Sequence, residues 1–308
     1  MTSAAEATYA GASQGAIKHH YDVGNEFWRL WLDPTMSYSC ALWEDGHARD
    51  DGDTLERAQL RKLDHLLDGV RMGEGTRLLD VGCGWGGMLR RAIERGAREV
   101  VGLTLSEAQH EFVSSADPRL SVELTGWSDY RPVEPFDAIV SVGAFEHFAK
   151  LGLTREEKVE SYRHFFHRCH EWLRPGGWMS LQTIAKGDVA LDGQGLRDFS
   201  FIVKKVFPES DLPHPADVVE AIEQRFELVR LRNDREHYVR TCEVWLERLV
   251  ANREAAIEAS SEDVYDVYKR YLEACIRQFS GGNAVLLRFV LRRIEPRAPF
   301  RLGARSDG

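Results

Sequence analysis

The apolar positions along this chain fall into two alternating rhythms. Over 55–70, Leu55, Leu60, Leu63, Leu66, Leu67 and Val70 recur at helical spacing, which predicts an amphipathic helix. Met72-Gly-Glu-Gly makes a turn, and the run Arg77-Leu-Leu-Asp-Val-Gly predicts a short apolar strand ending in glycine. A helix is expected over 86–95, closed by Gly96, then a strand over 99–105 and a helix from an N-cap at Ser106 through Val113. A strand over 136–142, a long helix over 156–173 stopped by Arg174-Pro-Gly-Gly, and a strand over 178–184 follow. Strand and helix in this alternation define an α/β fold, a Rossmann-like parallel sheet with helices on both faces.

The rhythm breaks after 185. The stretch to about 215 is rich in aromatics and reads as an inserted helical patch, with a helix over 198–206. Helices near 216–226 and 261–279 and a last strand over 285–290 complete the chain. The expected organisation is a lead-in over 1–16, an N-terminal helical cap over 17–70, a main domain over 71–294 carrying the insertion, and a tail over 295–308.

Composition narrows the classes. The chain has 308 residues, 43% hydrophobic and 29% charged, enough to bury a core without cross-links. A net charge of −9 argues against nucleic acid as a partner. No run nears the ~18 apolar residues of a membrane span, and the opening MTSAAEATYAGASQGA has neither the basic start nor the apolar stretch of a secretory signal. Five scattered cysteines without a C-x-x-C pair speak for reduced thiols in a cytoplasmic protein, with no metal site. The oligomeric state is not legible.

The candidate chemistry starts at LLDVGCGWGG. Gly82, Gly84 and Gly87 fit a dinucleotide turn loosely, while Asp80-x-Gly82-x-Gly84-x-Gly86 fits an S-adenosylmethionine turn. A nicotinamide site calls for an acid roughly 20 residues on, and the second strand ends Val101-Gly-Leu-Thr-Leu-Ser without one. Asp80 suits S-adenosylmethionine, where it can orient the loop and the amino acid end of the ligand. Thr104 and Gln109 then offer a ribose neutral partners. A purely structural turn is the third alternative. Glu146-His147 follows a strand end, the usual place for chemistry in such sheets, although a helix cap and a core histidine are the plain readings. Cys40 is equally readable as a small buried hydrophobe.

The chain resembles the cyclopropane fatty acid synthases and mycolic acid cyclopropane synthases. The resemblance rests on His20-Tyr-Asp-Val-Gly-Asn-Glu-Phe-Trp, Tyr38-Ser-Cys-Ala, Leu79-Asp-Val-Gly-Cys-Gly-Trp-Gly, Val101-Gly-Leu-Thr-Leu-Ser, Ser141-Val-Gly-Ala-Phe-Glu-His-Phe, Phe207-Pro and His237-Tyr. These motifs run in order from about residue 17 to about residue 280. The resemblance implies a class I methyltransferase fold and S-adenosylmethionine as methyl donor, with S-adenosylhomocysteine as product. It places Tyr38, Ser39, Gly82 and Gly84 at the methionine end, Thr104 and Gln109 at the ribose, and Trp127 by the adenine. Ser128 stands where the family often has Glu, and Val142 stands for an Ile; both join the cofactor set.

The family further holds a bicarbonate ion as base in a cluster matched here by Cys40, Glu146 and Tyr238. Gln182 takes a position that carries His in that cluster. A glutamine can donate a hydrogen bond but cannot become cationic, which weakens anion binding. Tyr21, Phe27 and Tyr38 are candidates for cation–π contact with a sulfonium. The Lys204-Lys205 pair and a run of arginines from Arg288 onward could meet an anionic group or a lipid surface, or could be solvated and structural.

The implied activity is C-methyl transfer to an unsaturated or nucleophilic carbon of a hydrophobic substrate, an acyl lipid or natural-product intermediate, with or without cyclopropane closure. Methyl transfer to a small amine, with Glu146 and His147 holding the amine, is the alternative. A silent cofactor-binding protein is the third.

Overall fold

The computed structural model describes residues 11, 23–46 and 52–295. The chain opens with α1 (Asn25–Arg29) and α2 (Leu55–Gly69), the latter capped by the Thr54 hydroxyl accepting from the Arg57 amide. β1 (Arg77–Val81), α3 (Gly87–Glu94), β2 (Glu99–Thr104), α4 (Glu107–Ala116), β3 (Ser121–Leu124) and β4 (Phe136–Val142) follow, and the 3-10 turn Phe145–His147 comes directly off β4. α5 (Arg155–Trp172) leads into β5 (Leu173–Lys186), α6 (Gly193–Lys205), α7 (Pro215–Ala221) and β6 (Phe226–Asn233). α8 (Arg235–Ala251), α9 (Arg253–Ala259), α10 (Glu262–Ser280) and β7 (Ala284–Arg293) close the fold.

The seven strands lie in the order β3-β2-β1-β4-β5-β7-β6. The first five run parallel, as the alternation predicts. β7 departs from it: it inserts between β5 and β6 and pairs antiparallel with both. The chain leaves β6 at one end of the sheet and returns through three helices, so β7 enters from that same end.

Local chemistry sets the boundaries. Ser106 caps α4 by accepting from the Gln109 amide, and Thr154 and Glu157 form a reciprocal capping box at α5. The expected helix near 216–226 is shorter. α7 starts on Pro215 and ends at Ala221, because Phe226 is already the first, buried residue of β6. The inserted patch is helical from Gly193, five residues before the expected start, because Asp192 accepts from the Gly195 amide.

Two cores flank the sheet. One packs Phe145, Tyr162, Phe165 and Phe166 beneath β4 and β5. Another joins Leu63, Leu66 and Leu67 of α2 to Leu78, Leu89 and Val140. A third, on the substrate-facing end, gathers Phe27, Trp28, Trp31 and Trp245 with α8 and α10. No helix among the described residues is long and apolar enough to cross a membrane.

Candidate active site: two cavities with one shared wall

Two cavities open at the carboxyl ends of the parallel strands, where ligands bind in such sheets. The first, about 360 Å³, lies over the turn that follows β1. Gly82 sits at φ +85°, where a Cβ would stand 2.4 Å from that of Ala144. Gly84 sits at φ +53° with nothing within 4 Å of an added Cβ, so the backbone itself faces open space. Asp80, next to last in the buried strand β1, takes no side-chain hydrogen bond among the described residues; its Oδ1 is fully buried. Burial raises its pKa to about 7, opposed by the charge of Lys62.

The rest of the cofactor set gathers here. Tyr38, Ser39, Thr104, Gln109, Trp127, Ser128 and Val142 all line this cavity. Thr104 and Gln109 are not independent, since the Thr104 hydroxyl donates to the Gln109 side-chain oxygen at 2.8 Å and accepts from the Ser106 amide. Trp127 is buried, tilted against Phe148 and edge-on to Phe165. Of the three aromatics expected near a sulfonium, Tyr38 borders the cavity. Phe27 is wholly buried against Trp28, Trp31 and Tyr268, the plain packing alternative, and Tyr21 lies outside the described residues.

Two further residues, missed in the sequence, hold the wall in place. Gln59 of α2 donates to the carbonyls of Ser37 and Ser39, and Lys62 donates to the hydroxyls of the same serines. Both belong to the buried stripe of α2 that includes Leu55 and Leu66. A lysine and a glutamine within an apolar helical stripe was the available signal.

The second cavity, about 430 Å³, is mostly apolar. Phe199, Ile202 and Val203 of α6 form one side, and Tyr271 and Phe279 of α10 another. α6 is fastened to α10 by the Arg277–Asp198 ion pair and by Gln278 donating to the Gly195 carbonyl. Glu146, Gln182 and Tyr238 converge on this cavity. Glu146 is 6% exposed; its Oε1 accepts from the Ile184 amide at 2.5 Å, while its Oε2 is buried without a partner among the described residues. Burial lifts its pKa to about 7, partly offset by the Ile184 hydrogen bond. Tyr238 is buried, and burial pushes its phenol well up.

Cys40 departs from expectation. It lines neither cavity, its thiol donates to the Ala41 carbonyl, and burial pushes its pKa to about 12. Arg288, expected in a basic tail, is buried in β7 and paired with Asp234, because the strand continues through it. Arg297, Arg301 and Arg305 lie outside the described residues. Lys204 and Lys205 end α6 as an exposed pair.

Tyr38, Ser39, Gly143 and His147 belong to both cavities, so the two meet across a single wall. His147 is held there by Ser210, Nδ1 to Oγ 2.7 Å, and burial lowers its pKa to about 4, which keeps it neutral.

A glycine turn after β1, an unpartnered acid beside it, an aromatic flank and an adjoining apolar cavity fit the two ends of S-adenosylmethionine and a separate acceptor. Together with the sheet order, they define a class I S-adenosylmethionine-dependent methyltransferase. The chain belongs to the mycolic acid cyclopropane synthetase family, whose profile matches residues 10–289. It is 37% identical over 294 residues to cyclopropane mycolic acid synthase 3 of Mycobacterium tuberculosis, spanning 91% of this chain and 97% of that one. It is 38% identical over 279 residues to hydroxymycolate synthase MmaA4 of the same organism, spanning 86% and 87%. The crystal structure of mycolic acid cyclopropane synthase CmaA1 complexed with SAH and CTAB aligns with a TM-score of 0.82 at 36% identity, covering 92% of this chain and 99% of that one.

Proposed function

We propose that this enzyme methylates an unsaturated or otherwise nucleophilic carbon of a hydrophobic substrate, an acyl lipid or natural-product intermediate, with Glu146 as the base. S-adenosylmethionine supplies an electrophilic methyl group on a sulfonium. Tyr38, Ser39, Asp80, Gly82 and Gly84 would hold its amino acid end, Thr104 and Gln109 its ribose, and Trp127, Ser128 and Val142 the remainder. The observation that carries this reading is the shared wall. It sets a cavity that carries buried charges and hydroxyls against a more apolar one, so that donor and acceptor can be held in line, an arrangement worth ~7–11 kcal/mol of barrier.

An alkene that gains a methyl group at one carbon is left with a carbocation at the other, which must be quenched by loss of a proton. Glu146 presents a free carboxylate oxygen at that place, with a pKa near working pH, as a general base requires. Loss of the proton from the new methyl group closes a cyclopropane; loss from a neighbouring carbon gives a methyl-branched alkene, and a hydride shift followed by loss from the methyl group gives a methylene product. Tyr238 borders the same space and can orient the carboxylate or stabilise the cation.

Bicarbonate has less support than Glu146 as the base: Cys40 lines neither cavity, Gln182 is neutral, and the nearby Arg288 charge is taken by Asp234. The amine alternative has less support. Among the described residues Glu146 is the one carboxylate on the second cavity, whose walls are mostly apolar, and His147 is neutral.

The test is incubation with methyl-labelled S-adenosylmethionine and a monounsaturated lipid extract of the source organism. A labelled lipid heavier by one CH2 is expected. Label appearing in small amines alone would overturn the reading.

A further inference from the structure

The first cavity carries, opposite in sign to Asp80, a second buried charge that the donor-site residues above do not include. Lys62 is 1% exposed, yet its Nζ reaches the Ser39 hydroxyl at 3.1 Å and the Ser37 hydroxyl at 3.4 Å, and it enters no ion pair among the described residues. Asp80 is 2% exposed and equally unpaired. Both line the same cavity. The other ionisable groups on its wall do not compensate them, since Asp129 is exposed at the rim and His147 is neutral.

A buried ammonium without a contact ion pair is costly, and so is a buried carboxylate; Lys62 feels the charges of Asp33 and Asp80 only from beyond ion-pair distance. Two buried charges of opposite sign around one cavity match a ligand that carries both charges, which is the chemistry of an α-amino acid. The neighbouring groups fix Lys62 in that role. Asp33 accepts from the amides of Thr35 and Ser37, and Gln59 grips the Ser37 and Ser39 carbonyls, so both hydroxyls are aimed at Nζ before any ligand arrives. Burial lowers the Lys62 pKa to about 8, the direction expected of a cation awaiting an anion.

We propose that Lys62 binds the carboxylate of the methyl donor's amino acid end, while Asp80 takes its ammonium. This rests on the assignment of the first cavity to S-adenosylmethionine. It adds a charged anchor at the methionine end, where the sequence supplies Tyr38, Ser39 and two glycines. Ser37 and Ser39 act through Lys62 as positioning residues.

Equilibrium binding tests the proposal without turnover. Titration calorimetry compares S-adenosylhomocysteine with 5′-methylthioadenosine, which lacks the amino acid. In Lys62→Met, affinity for S-adenosylhomocysteine is expected to fall at least about 30-fold, with 5′-methylthioadenosine changed by less than about twofold. Equal weakening of both ligands would make Lys62 merely structural, and unchanged S-adenosylhomocysteine affinity would remove it from the site; either overturns the proposal. Should Lys62→Met fail to fold, the wild-type protein decides. The carboxamide of S-adenosylhomocysteine, which keeps the ammonium and loses the negative charge, is expected to bind at least about 30-fold more weakly, and equal binding overturns the proposal. A wild-type protein that binds neither nucleoside would instead bring down the donor-site assignment itself.

Discussion

Arg288 holds Gln182 by its amide oxygen: Nε of the arginine lies 2.8 Å from Oε1 of the glutamine, inside the sheet between β7 and β5. The same guanidinium pairs with Asp234 and donates to the carbonyls of Cys40 and Ala41. Its donors are thereby spent on four partners, and the Gln182 amide nitrogen is left as the group that can serve the apolar cavity. A neutral donor, and not a cation, therefore stands beside Glu146.

Breaking this buried pair should be costly. Arg288→Met leaves Asp234 with the partly exposed Arg232 as its remaining guanidinium partner and is expected to lower stability by up to ~3–5 kcal/mol. Adding Asp234→Asn should restore a substantial part of that loss. Denaturant melts of the two single variants and the double variant measure the coupling, and additive losses would contradict it.

Gln182 also sets the response to bicarbonate. Turnover of the wild-type enzyme is expected to stay flat as bicarbonate is added to carbonate-free buffer. Gln182→His introduces a side chain that can become cationic and should make the rate bicarbonate-dependent. A wild-type rate that climbs with bicarbonate would reinstate the anion as the base.

Glu146→Gln should reduce turnover by ~10²–10⁴-fold while leaving S-adenosylhomocysteine binding intact. In the wild type, activity should rise as pH increases through about 7, because the carboxylate must be ionised to accept a proton. Stability should move the opposite way. The folded pKa lies above the usual value of 4.5, so the folded state holds this proton more tightly than the unfolded chain. Its stabilising contribution is full below about 4.5 and is lost as pH rises through about 7. Above that, Glu146→Gln is expected to be the more stable protein by roughly 3 kcal/mol, read from melts across the pH range.

Gly82→Ala tests the turn. Its left-handed backbone alone costs about 1–2 kcal/mol for a side-chain-bearing residue, and the added carbon would meet Ala144 at 2.4 Å. Ala144 follows β4 and lines the donor cavity, so the push should weaken S-adenosylhomocysteine binding as well as lower the melting temperature.

The buried strands β1, β4 and β5 and the helices with strong caps were legible because each carries its signal locally. β3 and β6 were not. The first has four residues with a largely exposed face, and the second is an edge strand whose residues after Phe226 are mostly exposed, so neither reads as a core strand. α8 was missed for another reason. Tyr238, Thr241, Cys242, Trp245 and Leu249 do fall on one buried face, but charged residues interrupt the run and mask the stripe. The glycine turn and Glu146 could be placed because short motifs carried them. The burial of Arg288 against Gln182 could not, since it depends on β7 crossing beside β5, a contact between residues far apart in the chain. Lys62 was visible on its helix and was passed over because the stripe around it reads as core.

Because Tyr38, Ser39, Gly143 and His147 serve both cavities, whatever fills one reshapes the boundary of the other. The two occupants meet at the same four residues, so that any coupling free energy between them is read by measuring each affinity with the other side empty and filled. A bisubstrate inhibitor, a thioadenosine joined at sulfur to an alkyl chain, would span the junction. Tethering would give its second half a millimolar-range effective concentration without any new contact.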